Sequence, residues 1–121
     1  MKILILGGSG NAGFTVARYL LAHTREQLIL ASRRMDICSA QAAWLNSRFG
    51  KGRVACITAD AADRKSLIAA FSQAKLVIIA SSTSVYAENI AFAALHAGVD
   101  MLDMSQATPE KHAVFERLAP I

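Results

Sequence analysis

Strand-sized apolar runs alternate with stretches of helical apolar spacing along this whole chain, and that alternation leaves few folds open. Lys2 to Leu6 is a continuous aliphatic run, as expected of a parallel strand buried on both faces. After a glycine-rich turn, Gly13, Ala17, Leu20 and Leu21 fall on one helical face. Leu28 to Ala31 reads as the second strand. Cys38, Ala42, Leu45 and Phe49 then mark a helix, with Gly50 at its C-terminal stop. Val54 to Ala59 is the third strand, and Asp63 caps a helix whose buried face is Leu67, Ala70 and Phe71. Leu76 to Ala80 is the fourth strand; the helix after it runs through Ala87, Ile90, Ala91, Ala94 and Leu95 until Gly98 stops it. Asp100 to Met104 reads as a fifth strand, and Thr108-Pro109-Glu110 opens a last helix that ends before Pro120. Such a βαβ series builds a parallel sheet with helices on both faces and right-handed crossovers.

Composition narrows the class further. The 121 residues fit one domain, residues 1–121, and 54% of them are hydrophobic, enough to cover both faces of a sheet. No apolar run approaches the roughly 18 residues of a bilayer span, so no membrane partner is expected. The N-terminus enters a strand at once, without a secretory leader, and a cytoplasmic location is expected. Cys38 and Cys56 lack metal or redox spacing and read as two reduced core thiols. The net charge of +4, from 13 Lys+Arg against 9 Asp+Glu, is scattered and not interleaved with aromatics. Nucleic acid is therefore not an expected partner.

The turn between the first strand and the first helix carries the chemistry. Gly8-Ser9-Gly10-Asn11-Ala12-Gly13 has the spacing G-x-G-x-x-G, weak alone but specific between a strand and a helix. Gly8 allows the tight turn, Gly10 leaves the backbone open to a diphosphate, and Gly13 lets the helix pack on the strand. The free N–H groups and positive dipole end of the helix face the phosphates. A turn with no ligand is the plain alternative. With the alternation above, the motif predicts a Rossmann-type doubly wound parallel sheet of five or six strands that binds a dinucleotide. Gly7 adds a second phase, Gly7-x-x-Gly10-x-x-Gly13, shared with short-chain dehydrogenases.

The end of the second strand selects the dinucleotide. A site for NAD usually has Asp or Glu there, bonding the ribose 2′-hydroxyl. This chain has Ser32-Arg33-Arg34. A carboxylate would repel a 2′-phosphate, whereas a hydroxyl and a guanidinium fork suit it. NADP is the expected cofactor, with NAD the alternative. Ser32 and Arg33 are assigned to the phosphate, and a solvated loop position is the other reading for Arg34. Asp36 reads as the start of the next helix.

Weaker candidates follow the later strands. Asp60, ending the third strand, is placed near the adenine edge, and Asp63 reads as a cap. Ser81-Ser82-Thr83 ends the fourth strand at the ligand rim and serves either the cofactor or the next helix cap. His23 and His96 sit in last helical turns, where imidazole caps carbonyls, and His112 reads as a surface residue. Asp103 and Ser105 line the rim without an acid, base or nucleophile beside them. Tyr86 is followed four residues on by Ile90, and Tyr19 by His23, so neither forms a Tyr-x-x-x-Lys proton relay. Trp44 reads as core or helix packing. No catalytic residue and no metal site can be named.

Four stretches give the chain a family likeness: Ile5 to Gly13, Ala31-Ser32-Arg33, Thr58-Ala59-Asp60-Ala61-Ala62-Asp63, and Ala93 to Ser105. Through them it resembles the N-terminal NAD(P)-binding domain of the saccharopine dehydrogenase (saccharopine reductase-like) family. The first and third stretches also occur in atypical short-chain dehydrogenases; the last is the more discriminating. The resemblance implies an oxidoreductase that carries hydride between a nicotinamide and a carbon–nitrogen bond of an amino-acid-like substrate. It also implies cofactor contacts at Gly8, Gly10, Asn11, Ala12, Gly13, Ser32, Arg33, Asp60 and Ser81. Where the family often has a glycine-proline turn against the nicotinamide, this chain has Ser81-Ser82-Thr83. Family members continue into a substrate domain, so this chain is expected to be the N-terminal fragment of a longer protein and inactive when isolated. Two other readings stand beside this one: a non-catalytic NAD(P)-sensing regulatory module, and an atypical short-chain dehydrogenase (NmrA-like) relative. An open sheet also leaves the fifth strand as an unpaired edge, so a homodimer or aggregation is expected of the isolated domain.

Overall fold

The computed structural model describes residues 2–7, 11–80 and 86–104. Within them the chain alternates strand and helix: β1 (Lys2–Leu6), α1 (Asn11–His23), β2 (Gln27–Ser32), α2 (Met35–Phe49), β3 (Val54–Thr58), α3 (Arg64–Phe71), β4 (Leu76–Ile79), α4 (Ala87–Ala97) and β5 (Asp100–Asp103). All pairings are parallel, and the sheet order is β3-β2-β1-β4-β5. The chain builds outward from β1 to one side, then returns to build the other, which is a doubly wound α/β sheet. The expected helix opened by Thr108 lies outside the described residues.

Strand alternation divides the core in two. Leu4 and Leu6 of β1, with Ile29, Ala31, Val77 and Ile79, face Leu67, Phe71, Ile90 and Ala94 of α3 and α4. Ile3, Ile5, Leu28, Leu30 and Ile78 face Ala17, Leu21, Ala42 and Leu45 of α1 and α2. Both faces are thus apolar, which explains why the strands read as continuous aliphatic runs. Each fully buried Leu, Ile or Phe contributes about 1.5–3 kcal/mol by leaving water.

Local signals set the helix ends. Asp63 Oδ1 accepts the Lys65 N–H at 3.0 Å and caps α3. Gly98 closes α4 with φ 69°; its N–H reaches Leu95 O, and the Val99 N–H reaches Ala94 O, a Schellman arrangement. Arg53, just before β3, donates to the carbonyls of Leu21, Thr24 and Glu26 and ties the α1–β2 turn to the sheet.

One expectation is overturned and two readings become more specific. Cys38 and Cys56 are not separate thiols: packing of α2 against β3 brings their Cα atoms to 6.2 Å, and they form a disulfide. Their separation of 18 residues carries no pairing signal, so only tertiary structure could show it. Trp44 packs on Phe14 of α1 yet stays 39% exposed, so it belongs to helix packing and not to the core. Leu95, through which the helix is expected to run, is 54% exposed, whereas Ala93 is buried on α4.

Candidate dinucleotide site

β1 ends at Gly7, whose φ of 82° lies in the left-handed region that favours glycine. Its N–H bonds Ala31 O at 2.9 Å, which holds the turn against the end of β2. Of the motif, Gly8 and Gly10 lie outside the described residues. Asn11, Ala12 and Gly13 form the first turn of α1, with Ala12 exposed and Gly13 buried. The start of α1 therefore stands directly after β1, the place where helical N–H groups meet a diphosphate.

A cleft of about 260 Å³ opens over the C-terminal ends of β1, β2 and β3. Leu6 and Gly7 form its floor, Ala31 to Arg34 one wall, Ala59 to Ala61 another, and Tyr86 stands over it from the start of α4. It falls below the roughly 300–1,000 Å³ of a pocket that encloses a whole small ligand, so it suits one end of a dinucleotide. Ligands of open α/β sheets sit at this carboxyl rim.

Each wall is held by its own hydrogen bonds. Ser32 is 8% exposed; its Oγ accepts the Arg34 N–H at 3.0 Å and its carbonyl accepts the Ala59 N–H at 3.2 Å. Arg34 immediately precedes α2 and pairs with Asp36 at 3.7 Å, both well exposed. Arg33 is exposed, lines the cleft and forms no ion pair with a described residue. Asp60 is half-buried: its N–H bonds Ser66 Oγ and its Oδ1 accepts the Ala62 N–H. The Ala61 carbonyl takes Asn89 Nδ2 at 3.1 Å, and Asn89 Oδ1 takes Arg64 Nε at 2.8 Å. Arg64 also pairs with Glu88 at 3.6 Å, so α3 and α4 together brace the Asp60 loop.

The cleft therefore brings Ser32, Arg33 and Asp60 together beside Gly7, with Ala12 and Gly13 on the adjoining helix. Ser81 and Ser105 lie outside the described residues. Asp103 ends β5 at the far side of the sheet order, away from this cleft. Tyr86 enters the cleft unforeseen, since the sequence drew attention to it only as a tyrosine without a relay lysine. No local pattern marks such a wall residue; the fold must bring α4 beside β3's loop first. Among the described residues no cluster of His, Cys, Asp and Glu could hold a metal ion, and no described helix is long and apolar enough to cross a membrane.

These residues fit a phosphorylated ribose. The wall after β2 presents the Arg33 guanidinium, which no carboxylate among the described residues pairs, and the sequence lacks the acid usual for NAD at that position. Residues 3–120 match the family model described as the saccharopine dehydrogenase NADP binding domain. The chain belongs to this family. NADP is accordingly its cofactor, in line with Ser32-Arg33 replacing the acid.

Solved structures share the fold at low identity. Apo saccharopine dehydrogenase (L-Glu forming) from Saccharomyces cerevisiae superposes with TM-score 0.76 at 20% identity, covering 93% of this chain and 23% of its own. A wide-type short-chain dehydrogenase/reductase from Veillonella parvula, in complex with NADP, gives 0.71 at 20% identity, covering 88% and 48%. The Citrobacter sp. triphenylmethane reductase complexed with NADP(H) gives 0.73 at 21%, covering 98% and 45%. This chain thus spans about a quarter to a half of these proteins' lengths. No curated protein matches the sequence significantly.

Proposed function

We propose that this domain holds NADP(H) for an oxidoreductase that moves hydride between the nicotinamide and a carbon–nitrogen bond of an amino-acid-like substrate. The family match over residues 3–120 supports the reading, and one observation carries it: Arg33 lines the cleft wall and forms no ion pair with a described residue. Bound NADP(H) supplies the hydride chemistry, and the protein supplies position and charge. In this reading the diphosphate is assigned to the backbone N–H groups of Gly8, Gly10, Asn11, Ala12 and Gly13. Ser32 and Arg33 are assigned to the 2′-phosphate, Asp60 to the adenosine, and Ser81 to the ribose or nicotinamide side of the cofactor. Substrate-binding and proton-transfer groups belong to a further domain of a longer protein, so residues 1–121 alone bind cofactor without turnover. Among the described residues β5 is an edge strand with Leu102 and Met104 exposed, and self-association of the isolated domain through it is part of this proposal.

A second reading, a short-chain dehydrogenase/reductase relative, is favoured by the folds of the Veillonella and Citrobacter proteins. Against it, Tyr86 has Ile90 where the proton relay needs lysine. NADPH absorbance in the full natural protein separates the two. Consumption that requires both an amino acid and an oxo acid supports the first reading. Reduction of a carbonyl compound alone supports the second, and tight NADPH binding without turnover of either points to a sensing module.

A further inference from the structure

On the outer face of the α1–α2 layer, away from the cleft, two arginines close on a single indole. Phe14 and Arg18 stand one helical turn apart on α1, and Trp44 and Arg48 one turn apart on α2. The Phe14 and Trp44 rings are 5.6 Å apart. Arg48 Cζ lies 4.7 Å and Arg18 Cζ 5.8 Å from the Trp44 ring centre. Together with Ala40 and Gln41 they line a shallow cleft of about 380 Å³. None of these residues lines the cofactor cleft.

Among the described residues no carboxylate neutralises the charge here. Arg34, Arg64 and Lys75 have carboxylate partners, and Arg53 is spent on backbone carbonyls. Arg18 and Arg48 form no ion pair with a described residue, and aromatic rings orient them instead. Two cations within about 6 Å of one exposed ring give this face a positive potential, which an anion is drawn to. Solvent-exposed tryptophan and arginine are also the residue types most enriched where partners bind.

We propose that this face docks an acidic segment of a partner protein, one that sets carboxylates beside an aliphatic side chain. With the Arg48 guanidinium 4.7 Å from the indole centre, that ring is already engaged and is a poor platform for a nucleobase. The guanidinium edges still present forked N–H donors, which match carboxylates in pairs. Phe14, Ala40 and the indole edge add an apolar floor. That floor wants an aliphatic anchor, which a phosphodiester backbone lacks.

Trp44 is the sole tryptophan, so its fluorescence reports this face alone. The full chain is titrated with a short peptide of glutamate and leucine, the same peptide with glutamine for glutamate, and an oligothymidylate. Expected is a saturable emission change with the glutamate peptide. Its affinity drops about tenfold or more for the glutamine peptide and for R18Q/R48Q, while NADPH affinity is unchanged. The single variant R48Q shows an intermediate loss. No saturable change, equal affinity for the two peptides, or tighter binding of the oligonucleotide overturns the proposal.

Discussion

Arg33 and Arg34 are neighbours in sequence but not in circumstance. Arg34 precedes α2 and pairs with Asp36, while Arg33 lines the cleft and pairs with no described carboxylate. A hydrogen bond to a charged group contributes about 1.5–3 kcal/mol. Arg33→Ala should therefore weaken NADPH about ten- to a hundredfold and leave NADH within about twofold, as isothermal titration would show. Comparable losses for both dinucleotides would remove the phosphate role. The place of Arg33 on the cleft wall was legible in the sequence because it follows directly on the second strand. Tyr86 was not, since its place over the cleft depends on how α4 crosses the sheet.

At the scale of elements, β3 is an edge strand, and Asn46 of α2 serves that edge. Its Nδ2 donates to Val54 O at 3.0 Å and its Oδ1 accepts the Val54 N–H at 2.9 Å, so one side chain satisfies both polar groups of a buried residue. Asn46→Ala leaves both without that partner and should lower stability by about 1–3 kcal/mol in a urea melt. A change under about 0.5 kcal/mol would mean that water replaces the amide without loss. The inner strands β1, β2 and β4 were legible as aliphatic runs because both their faces are covered, and the bounds of all five moved by only a residue or so. Helix faces were less so. Trp44 and Leu95 each fall just outside the buried arc, and apolar character alone does not separate a core position from its flank.

The whole molecule adds what no segment holds. The disulfide joins α2 to β3 across 18 residues of chain, and closing a loop of that size stabilises by about 3 kcal/mol. Reduction should lower the unfolding midpoint accordingly, and thiol titration of the unreduced protein should find none. Two reactive thiols would contradict the pairing. Self-association through the β5 edge should appear in light scattering as concentration rises, and Leu102→Lys should suppress it; a monomer at high concentration would refute the open edge. The central claim concerns the cleft over β1, β2 and β3. Its most direct measurement is a side-by-side titration of the unaltered chain with NADPH and NADH. The account predicts saturable binding of both, with NADPH tighter by about tenfold or more. Equal affinities, tighter NADH, or no binding of either would contradict it.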